Sequence, residues 1–268
     1  MTAPVRLATR CVEKVWGRTS LPQPFACPGD EPVGEIWFEP DGSLPDLLAK
    51  YLFTSAKLSV QVHPRDGEAG PGIPGKDECW LVLDAEPGAS LAIGFCEAIS
   101  ADAMRAAALD GSIEHLLEWH QVSAGDFFYL PAGTVHAIGA GISLVEVQQN
   151  TDITYRLFDY GRPRELHLDA ALAVAEGKPY PRSLMRKLAE REEAMLVDGP
   201  KFRLAQSVGA PGAELAERFT GPCQILPLGS AALVDGTEIA AGESCVIASL
   251  SGARIETEGR LLLCSSCS

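Results

Sequence analysis

The chain has 268 residues and a formal net charge of −14 at pH 7, from 22 basic and 36 acidic residues. A chain of this length can form one large domain, or one domain and a smaller one, with a core that needs no disulfides. The acidic balance disfavours nucleic acid and anionic membrane surfaces as partners. An anionic substrate would therefore have to be bound by a few locally placed cations.

The sequence predicts a cytoplasmic protein. No apolar run reaches the roughly 20 residues of a membrane span. The N-terminal stretch "MTAPVRLATRCVEKVWG" lacks the apolar segment of a signal peptide. In the cytoplasm the eight cysteines are expected to be small buried thiols rather than a disulfide framework. Cys264 and Cys267 have C-x-x-C spacing, but no second pair accompanies them, so we expect them to be functionally silent.

Short strand-like segments separated by prolines and glycines make up most of the first 160 residues. In chain order they are "VGEIWFEP", "AKLSVQVHP", "ECWLVL", "SLAIGF", "DFFYLPAGTVHAIG", "ISLVEVQ" and "ITYRLFDY". Such runs of β-branched and aromatic residues between turn signals predict a mainly β sandwich or barrel of jelly-roll type.

Three helical patterns interrupt the strands. Residues 100–120 predict two short helices that are broken at Asp110-Gly111, with Ser100 as the N-cap. Residues 167–177 predict a helix that ends at Gly177. Residues 182–197 predict an amphipathic, strongly charged helix.

The domain organisation follows from these patterns. We expect a larger domain over residues 1–180, with a helical insert at about 100–120, and a helical connector over 181–198. Residues 199–268 again look like short strands, now without histidine, and predict a smaller β-domain without metal ligands.

Four residues form a candidate metal site. Gln61 and His63 point the same way because side chains alternate along a strand. Glu78 opens the next strand, and His136 follows a Pro-x-Gly turn. This mixed oxygen and nitrogen set suits zinc or another first-row divalent ion with open coordination positions. The remaining histidines, His115, His120 and His167, are interpreted as core, surface or helix-capping residues.

The motif around His136 leads to a family. Gly125, Pro131, Gly133 and His136 have the spacing of the second cupin motif, while Gln61-x-His63 stands where the first motif usually has His-x-His. Over residues 5–175, "WGR", "VGEIW", "LSVQVHP", "GKDECW", "LPAGTVHAIG" and "EVQQNTDITYRLFDYGR" resemble the type I mannose-6-phosphate isomerases in their short bacterial form.

The resemblance implies both a fold and an activity for the chain. The fold would be a cupin jelly-roll barrel with inserted helices and a second, smaller C-terminal β-domain. The activity would be interconversion of mannose 6-phosphate and fructose 6-phosphate through an enediol, by a monomer or homodimer acting on a small sugar phosphate. One zinc ion per chain would be bound by the four residues of the candidate metal site. Other site residues carried over from the family are Arg156, Glu146 and Lys76 for catalysis, and Lys50, Ser59 and Arg156 for the substrate phosphate.

Roles within this site are open in part. Glu146 is a candidate proton carrier, but it could also orient a ligand. Arg156 and Lys76 can stabilise enediolate charge. Lys50 could be an ordinary surface lysine.

Two other functions remain open. A non-catalytic cupin that senses a metal or a sugar phosphate would keep the metal ligands but could dispense with Glu146 and Arg156. A cupin oxygenase usually needs iron and more histidines than the Gln61-x-His63 pattern offers.

Overall fold

The computed structural model describes residues 3–267, and they form a mainly β protein of stacked sheets. The strands are β1 (Val5–Arg6), β2 (Thr9–Arg18), β3 (Val33–Phe38), β4 (Leu47–Phe53), β5 (Val60–Val62), β6 (Glu78–Ala85), β7 (Ser90–Phe95), β8 (Leu117–Gln121), β9 (Asp126–Leu130), β10 (His136–Ile138), β11 (Ile142–Gln149), β12 (Tyr155–Phe158), β13 (Met185–Lys187), β14 (Ala194–Asp198), β15 (Phe202–Val208), β16 (Cys223–Leu228), β17 (Ala232–Val234), β18 (Thr237–Ile239), β19 (Cys245–Ile247), β20 (Ile255–Glu256) and β21 (Arg260–Ser266). The helices are α1 (Ala101–Asp110), α2 (Ile113–Leu116), α3 (Leu168–Val174) and α4 (Ala213–Ala216), with a 3₁₀ turn at Arg182–Leu184.

Two facing sheets form the part of the molecule that carries the candidate site. A seven-stranded sheet has the order β13-β9-β6-β11-β4-β3-β2, and a five-stranded sheet has the order β12-β5-β10-β7-β8. Apolar side chains from both sheets fill the space between them, including Leu52, Trp80, Leu91, Ile93 and Phe128. The mainly β prediction is confirmed, although within residues 3–267 the strand hydrogen bonds do not close the two sheets into a barrel.

A second pair of sheets packs on the outer face of the seven-stranded sheet. The six-stranded sheet β1-β19-β16-β21-β15-β14 and the three-stranded sheet β18-β17-β20 enclose a core of their own. Alternation along β4 turns Tyr51 and Phe53 away from the site and into a shared core with Leu226 and Leu262. The N-terminal strand β1 belongs to the six-stranded sheet, with Val5 opposite Val246. The predicted division into residues 1–180 and 199–268 stays a prediction.

The predicted helical insert is confirmed for α1 and α2 and is wrong beyond them. The hydroxyl of Ser100 accepts a hydrogen bond from the Ala103 N–H, and Gly111 ends α1 at φ 82°. The predicted helix at 117–120 is strand β8, which pairs with β7 and leaves Leu117 buried. The α3 helix is confirmed, and it ends at Val174, before Gly177.

The predicted helix over residues 182–197 is wrong. After the 3₁₀ turn, β13 pairs with β9 at one edge of the seven-stranded sheet, and β14 pairs with β15 at one edge of the six-stranded sheet. The backbone groups of this segment therefore bond to two sheet edges instead of to one another. The connector predicted at 181–198 is a pair of edge strands.

The cysteine prediction is wrong for one pair. Cys11 and Cys27 form a disulfide, with a Cα–Cα distance of 6.0 Å. Cys79, Cys223, Cys245 and Cys264 are buried free thiols, as expected, whereas Cys96 is exposed and Cys267 is half-buried. In residues 3–267 no helix has the length and apolar character needed to cross a membrane.

Candidate metal centre and substrate cavity

The two facing sheets supply the candidate metal ligands. Strand register places Arg156 on β12, Gln61 on β5 and His136 on β10 side by side across the five-stranded sheet. Glu78 begins β6 in the opposite sheet, and it shares the inner face with Trp80 because side chains alternate along the strand. The site thus lies between the sheets rather than at a loop tip.

The tight turn before His136 is hydrogen-bonded to the backbone of His63. Gly133 has φ 91°, a left-handed conformation that favours glycine, and its N–H donates to the His63 carbonyl at 2.8 Å. A Cβ atom at this position would lie 2.6 Å from the Arg65 guanidinium. The Pro-x-Gly spacing before His136 therefore reflects close packing at the site.

His63, Glu78 and His136 form a group able to bind a metal ion. One ligand atom from each lies within 4.8 Å of the others, and all three side chains are buried. His63 Nε2 is 3.5 Å from Glu78 Oε2, and His136 Nε2 is 3.4 Å from Glu78 Oε1. Two imidazoles and a carboxylate around one point are a donor set suited to a first-row divalent ion.

The surrounding backbone prepares both histidines as ligands. His63 Nδ1 is 2.8 Å from the Ile153 carbonyl, and His136 Nδ1 is 2.9 Å from the Thr134 carbonyl. Each Nδ1–H is therefore the donor, which leaves the Nε2 lone pair facing Glu78. Burial lowers the pKa of His136 to about 4 and holds the pKa of His63 well below its usual range, with Lys76 adding to the effect on His63. Both imidazoles are consequently neutral near pH 7.

Glu78 is a buried hydrogen-bond acceptor that can still accept a donor or bind a cation. Within residues 3–267 its Oε1 atom has no hydrogen-bond partner. Burial, with help from the Glu146 charge, raises the pKa of Glu78 to about 7, although Lys76 acts in the opposite direction. A bound cation would satisfy the orphaned oxygen and favour the ionised carboxylate, so the residues present fit a metal.

Gln61 lies beside this group. Its Nε2 atom is 3.3 Å from His136 Nε2, and its Oε1 atom accepts a hydrogen bond from Ser59 Oγ at 2.9 Å. Coordination through the amide oxygen requires a half-turn of the amide, after which the Ser59 hydroxyl would accept from Nε2 instead. Ser59, predicted as a phosphate contact, therefore contacts a candidate metal ligand.

A buried network of lysines and carboxylates adjoins the ligands. Strand register places Lys50, Glu146 and Trp80 in one row across β4, β11 and β6. Glu146 Oε1 is 2.9 Å from Lys50 Nζ and 3.3 Å from Lys76 Nζ, while Glu146 Oε2 accepts from Trp80 Nε1 at 3.1 Å. Lys76 Nζ also donates to Glu78 Oε2 at 2.7 Å. The interpretation of Lys50 as a surface lysine is wrong, because Lys50 is buried.

The network holds Glu146, Lys50 and Glu35 in the charged state. Burial alone would raise the pKa of Glu146, but Lys50 and Lys76 outweigh it and lower that pKa to about 2. Burial lowers the pKa of Lys50, but Glu146 and Glu35 raise it above its usual value. The pKa of Glu35 is likewise lowered against burial by Lys50 and Lys14.

A small polar cavity of about 150 Å³ opens onto this network. Its wall contains six of the predicted site residues, namely Lys50, Ser59, Gln61, Lys76, Glu146 and Arg156. Cavities of about 440 and 650 Å³ lie elsewhere on the molecule, at the loops near Lys201. None of the predicted site residues lines either of those larger cavities, so the small one is the candidate substrate site.

The cavity wall also contains residues to which the sequence analysis gave no role. They are Lys14, Trp16, Glu35, Asp152, Thr154 and Arg164, with three apolar residues. Glu35 is buried and lies 3.4 Å from Lys14 Nζ and 3.8 Å from Lys50 Nζ. Trp16 belongs to the motif "WGR" and Glu35 to the motif "VGEIW". Lys14 and Arg164 belong to neither of these motifs nor to any other family motif named above.

The other three histidines lie outside the metal group. His115 is exposed on α2, and His120 packs near the Phe128 and Tyr180 rings. His167 precedes α3 but does not cap it with its side chain. Its Nδ1 atom instead accepts a hydrogen bond from the Arg156 N–H at 3.2 Å, so His167 is the N-cap residue of α3 by position and not through a side-chain hydrogen bond.

Comparison with known proteins places this geometry in a family. No family model matches the sequence. A mannose-6-phosphate isomerase of Streptococcus mutans is 35% identical over 246 residues, which cover 75% of this chain and 78% of that protein. The chain belongs to the mannose-6-phosphate isomerase family. The resemblance read from the sequence motifs is thereby confirmed.

Other members of the family and their structures agree. Mannose-6-phosphate isomerase ManA of Bacillus subtilis is 44% identical over 139 residues, which cover 48% of this chain and 44% of that protein. A crystal structure of a mannose 6-phosphate isomerase from Bacillus subtilis matches with a TM-score of 0.76 at 23% identity and covers 98% of this chain and 99% of that one. A variant phosphomannose isomerase from Salmonella typhimurium matches with a TM-score of 0.73 at 15% identity. At these identities the structural matches support the fold.

Proposed function

We propose that this protein is a mannose-6-phosphate isomerase, which interconverts mannose 6-phosphate and fructose 6-phosphate by moving a proton between C1 and C2. The observation that carries the proposal is the site itself. A chain of this family has a buried His-Glu-His group beside a buried lysine and carboxylate network, and that network lines a polar cavity together with Gln61.

The resident ion is proposed to be one zinc per chain, with Gln61, His63, Glu78 and His136 as its ligands. The neutral imidazoles and the orphaned Glu78 oxygen support this set. When bound there, a divalent ion supplies Lewis-acid polarisation of a sugar oxygen.

Lys76 and Arg156 are proposed to stabilise the negative charge that develops on the enediolate. Both line the cavity, and Lys76 is held by Glu78 and Glu146. Fixed cations aimed at developing charge in a water-poor site lower the barrier because they need no reorganisation during the reaction.

Glu146 is proposed to hold Lys50 and Lys76 in place rather than to accept the substrate proton. A carboxylate with a pKa of about 2, whose two oxygens already accept hydrogen bonds, is a weak base. Asp152 is the alternative proton acceptor. It lines the cavity, and in the part of the chain that the structure describes no ion pair or hydrogen bond engages its carboxylate.

The partners and the cellular location of the enzyme are proposed from its net charge and from the chemistry of its substrate. A net charge of −14 disfavours nucleic acid as a partner. A charged sugar phosphate does not cross membranes unaided, so we propose a cytoplasmic enzyme. A monomer or homodimer, with residues 1–180 as the catalytic domain and 199–268 as the smaller β-domain, completes the proposal.

The test is a direct assay of the zinc-loaded protein. Incubation with mannose 6-phosphate in deuterium oxide should give fructose 6-phosphate that carries deuterium at C1 where solvent exchange accompanies proton transfer. Chelator-treated protein serves as the control and should be inactive. Binding of mannose 6-phosphate without any conversion would contradict the proposal and would favour a non-catalytic sugar-phosphate sensor.

A further inference from the structure

The loop that follows β12 folds back against the substrate cavity. Asp159 lies at the start of this loop and is only 2% exposed. Its carbonyl accepts a hydrogen bond from the Arg162 N–H at 3.0 Å, and the carbonyl of Arg162 accepts one from the Arg164 N–H at 2.8 Å. The loop therefore turns tightly around the Asp159 side chain.

The Asp159 carboxylate is bonded to two arginines of its own loop. Arg164 donates from Nε to Oδ2 at 2.6 Å and from Nη2 to Oδ1 at 2.7 Å, a bidentate arrangement. Arg162 donates from Nη1 to Oδ1 at 3.1 Å. Bidentate pairing fixes the plane of a guanidinium as well as its position.

Only one of the two arginines is part of the cavity wall. Arg164 lines the cavity of about 150 Å³, whereas Arg162 is not among its lining residues. Arg162 instead donates to the Lys57 carbonyl at 2.7 Å and lies 5.6 Å from the centre of the Tyr160 ring. The same buried carboxylate thus holds one arginine at the cavity and the other away from it.

The loop also ties Arg164 to Arg156. Arg156 Nη1 donates to the carbonyl of Glu165, the residue after Arg164, at 2.9 Å. The His167 N–H donates to the Arg156 carbonyl at 2.8 Å. Both guanidinium groups consequently belong to one wall of the cavity.

The charges of the two buried cavity lysines, Lys50 and Lys76, are already balanced by carboxylates. Lys50 is paired with Glu146 and Glu35, and Lys76 is paired with Glu78 and Glu146. Asp159, by contrast, is one carboxylate facing two guanidinium groups, which leaves a net positive charge on this cluster of three side chains. The N–H groups of Arg164 that do not bond to Asp159 remain to bind an anion.

We propose that Arg164 binds the phosphate of the substrate in this cavity and that Asp159 is the positioning residue that fixes its guanidinium. The inference rests on the proposed function and deepens it. It adds a phosphate contact to Lys50 and Ser59, whose side chains are engaged by Glu146 and by Gln61. Arg156, which lies in register with Gln61, is then left to act on the reacting end of the sugar.

The experiment compares Arg164→Ala with Arg162→Ala as the matched control. Both changes remove an arginine from Asp159, but only the first removes one from the cavity wall. Arg164→Ala should raise the Michaelis constant for mannose 6-phosphate by about tenfold to a hundredfold, because a charge-assisted hydrogen bond is lost. Its turnover number should stay close to that of the wild type, and inorganic phosphate should inhibit it more weakly. Arg162→Ala should keep both constants.

Asp159→Asn tests the positioning role. It should raise the Michaelis constant in the same direction, and the double variant with Arg164→Ala should be no worse than Arg164→Ala alone. Additive effects of the two changes would overturn the positioning role. If Asp159→Asn does not fold, Arg164→Lys decides the matter, since lysine cannot form the bidentate pair and should also raise the Michaelis constant.

A wild-type Michaelis constant in Arg164→Ala would overturn the phosphate role while leaving the isomerase proposal intact. A wild-type protein without isomerase activity would contradict the isomerase proposal instead. Calorimetric titration of the wild type and of Arg164→Ala with inorganic phosphate then still decides the subsite. Equal binding, or no binding to the wild type, overturns it.

Discussion

At the scale of single residues, the candidate metal centre combines neutral nitrogen donors with one carboxylate whose Oε1 atom has no hydrogen-bond partner among residues 3–267. The carbonyls of Ile153 and Thr134 fix the tautomers of His63 and His136, so that both Nε2 atoms face Glu78. Partners of this kind orient ligands and raise metal affinity. The site therefore has the form of a prepared ligand set and not of a chance cluster of polar groups.

Removal of either histidine should release the metal. Because three protein side chains form the group, His63→Ala or His136→Ala leaves too few donors for tight binding, and we expect near-complete loss of zinc. Elemental analysis of the purified, dialysed variants checks this. His115→Ala, at an exposed histidine on α2, is the control and should keep its metal. Full occupancy in both site variants would contradict the ligand assignment.

Arg156 should affect turnover more than substrate binding. It lies beside Gln61 in the sheet register and lines the cavity, so its guanidinium is placed near the candidate metal ligands. Arg156→Lys should lower the turnover number by on the order of a hundredfold, as expected for one donor that stabilises transition-state charge. Its Michaelis constant should barely change, in contrast with Arg164→Ala. Steady-state kinetics separate the two, and an elevated Michaelis constant with normal turnover would assign Arg156 to the phosphate instead.

Strand alternation and motif spacing placed the candidate metal ligands, whereas the family resemblance supplied the other candidate site residues. Gln61 and His63 were predicted on one face, and Glu78 and His136 were predicted to converge with them, which the structure shows for His63, Glu78 and His136. Arg164 and Lys14 could not be found in this way, because neither belongs to a motif and each reaches the cavity only through the folding of a loop or an edge strand. Long-range placement of this kind depends on tertiary packing, which local patterns do not contain.

At the scale of elements, the segment after α3 shows why amphipathic patterns are ambiguous. Residues 185–187 and 194–198 carry mixed charge and apolar residues at spacings that also fit a helix, yet both segments add strands to sheet edges. The charged residues between them, Glu190–Glu193, occupy the turn. As strands, the two segments pair their backbone N–H and C=O groups with strands β9 and β15. A helix on the surface would have left the edge groups of those two strands without a strand partner.

The disulfide between Cys11 and Cys27 should stabilise the edge of the seven-stranded sheet without taking part in catalysis. It closes a loop with a sequence separation of 16, for which chain entropy predicts about 3 kcal/mol of unfolding free energy. The double variant Cys11→Ser, Cys27→Ser should lose about that much stability in urea unfolding and keep its metal. Unchanged stability would mean that the bond does not form in the purified protein.

The C-terminal cysteine pair offers the contrasting case. Cys264 is buried in the core between the sheets, whereas Cys267 is half-buried near the end of the chain. The double variant Cys264→Ser, Cys267→Ser should keep its metal and its turnover number, because neither thiol is near the metal group. The buried hydroxyl at 264 is expected to lower stability modestly. Loss of metal in this variant would show that the tail has a role in the site.

At the scale of the whole molecule, the sheets are stacked so that the seven-stranded sheet has two buried faces. Its inner face carries Glu78, Trp80 and Glu146, and its outer face packs Tyr51 and Val145 against the six-stranded sheet. A β-sheet buried on both faces is held more rigidly than one with a solvated face. The C-terminal sheets therefore support the strands that position the catalytic network, although they contribute no residue to the metal group.

This shared core predicts that the two parts of the chain unfold together. Leu262 lies in the six-stranded sheet and is fully buried against the outer face of the seven-stranded sheet. Leu262→Ala should cost about 2–5 kcal/mol, as expected for a large buried side chain, and should lower the midpoint of a single thermal transition. An ion bound by His63, Glu78 and His136 stabilises only the folded protein, so adding zinc should raise that same midpoint in the wild type and in the variant. Leu233→Ala, at a position that is 36% exposed in the three-stranded sheet, is the control and should have a small effect. Differential scanning calorimetry checks the prediction. Two separate transitions, with zinc shifting only one and Leu262→Ala only the other, would show that the C-terminal sheets fold independently and give no support to the site.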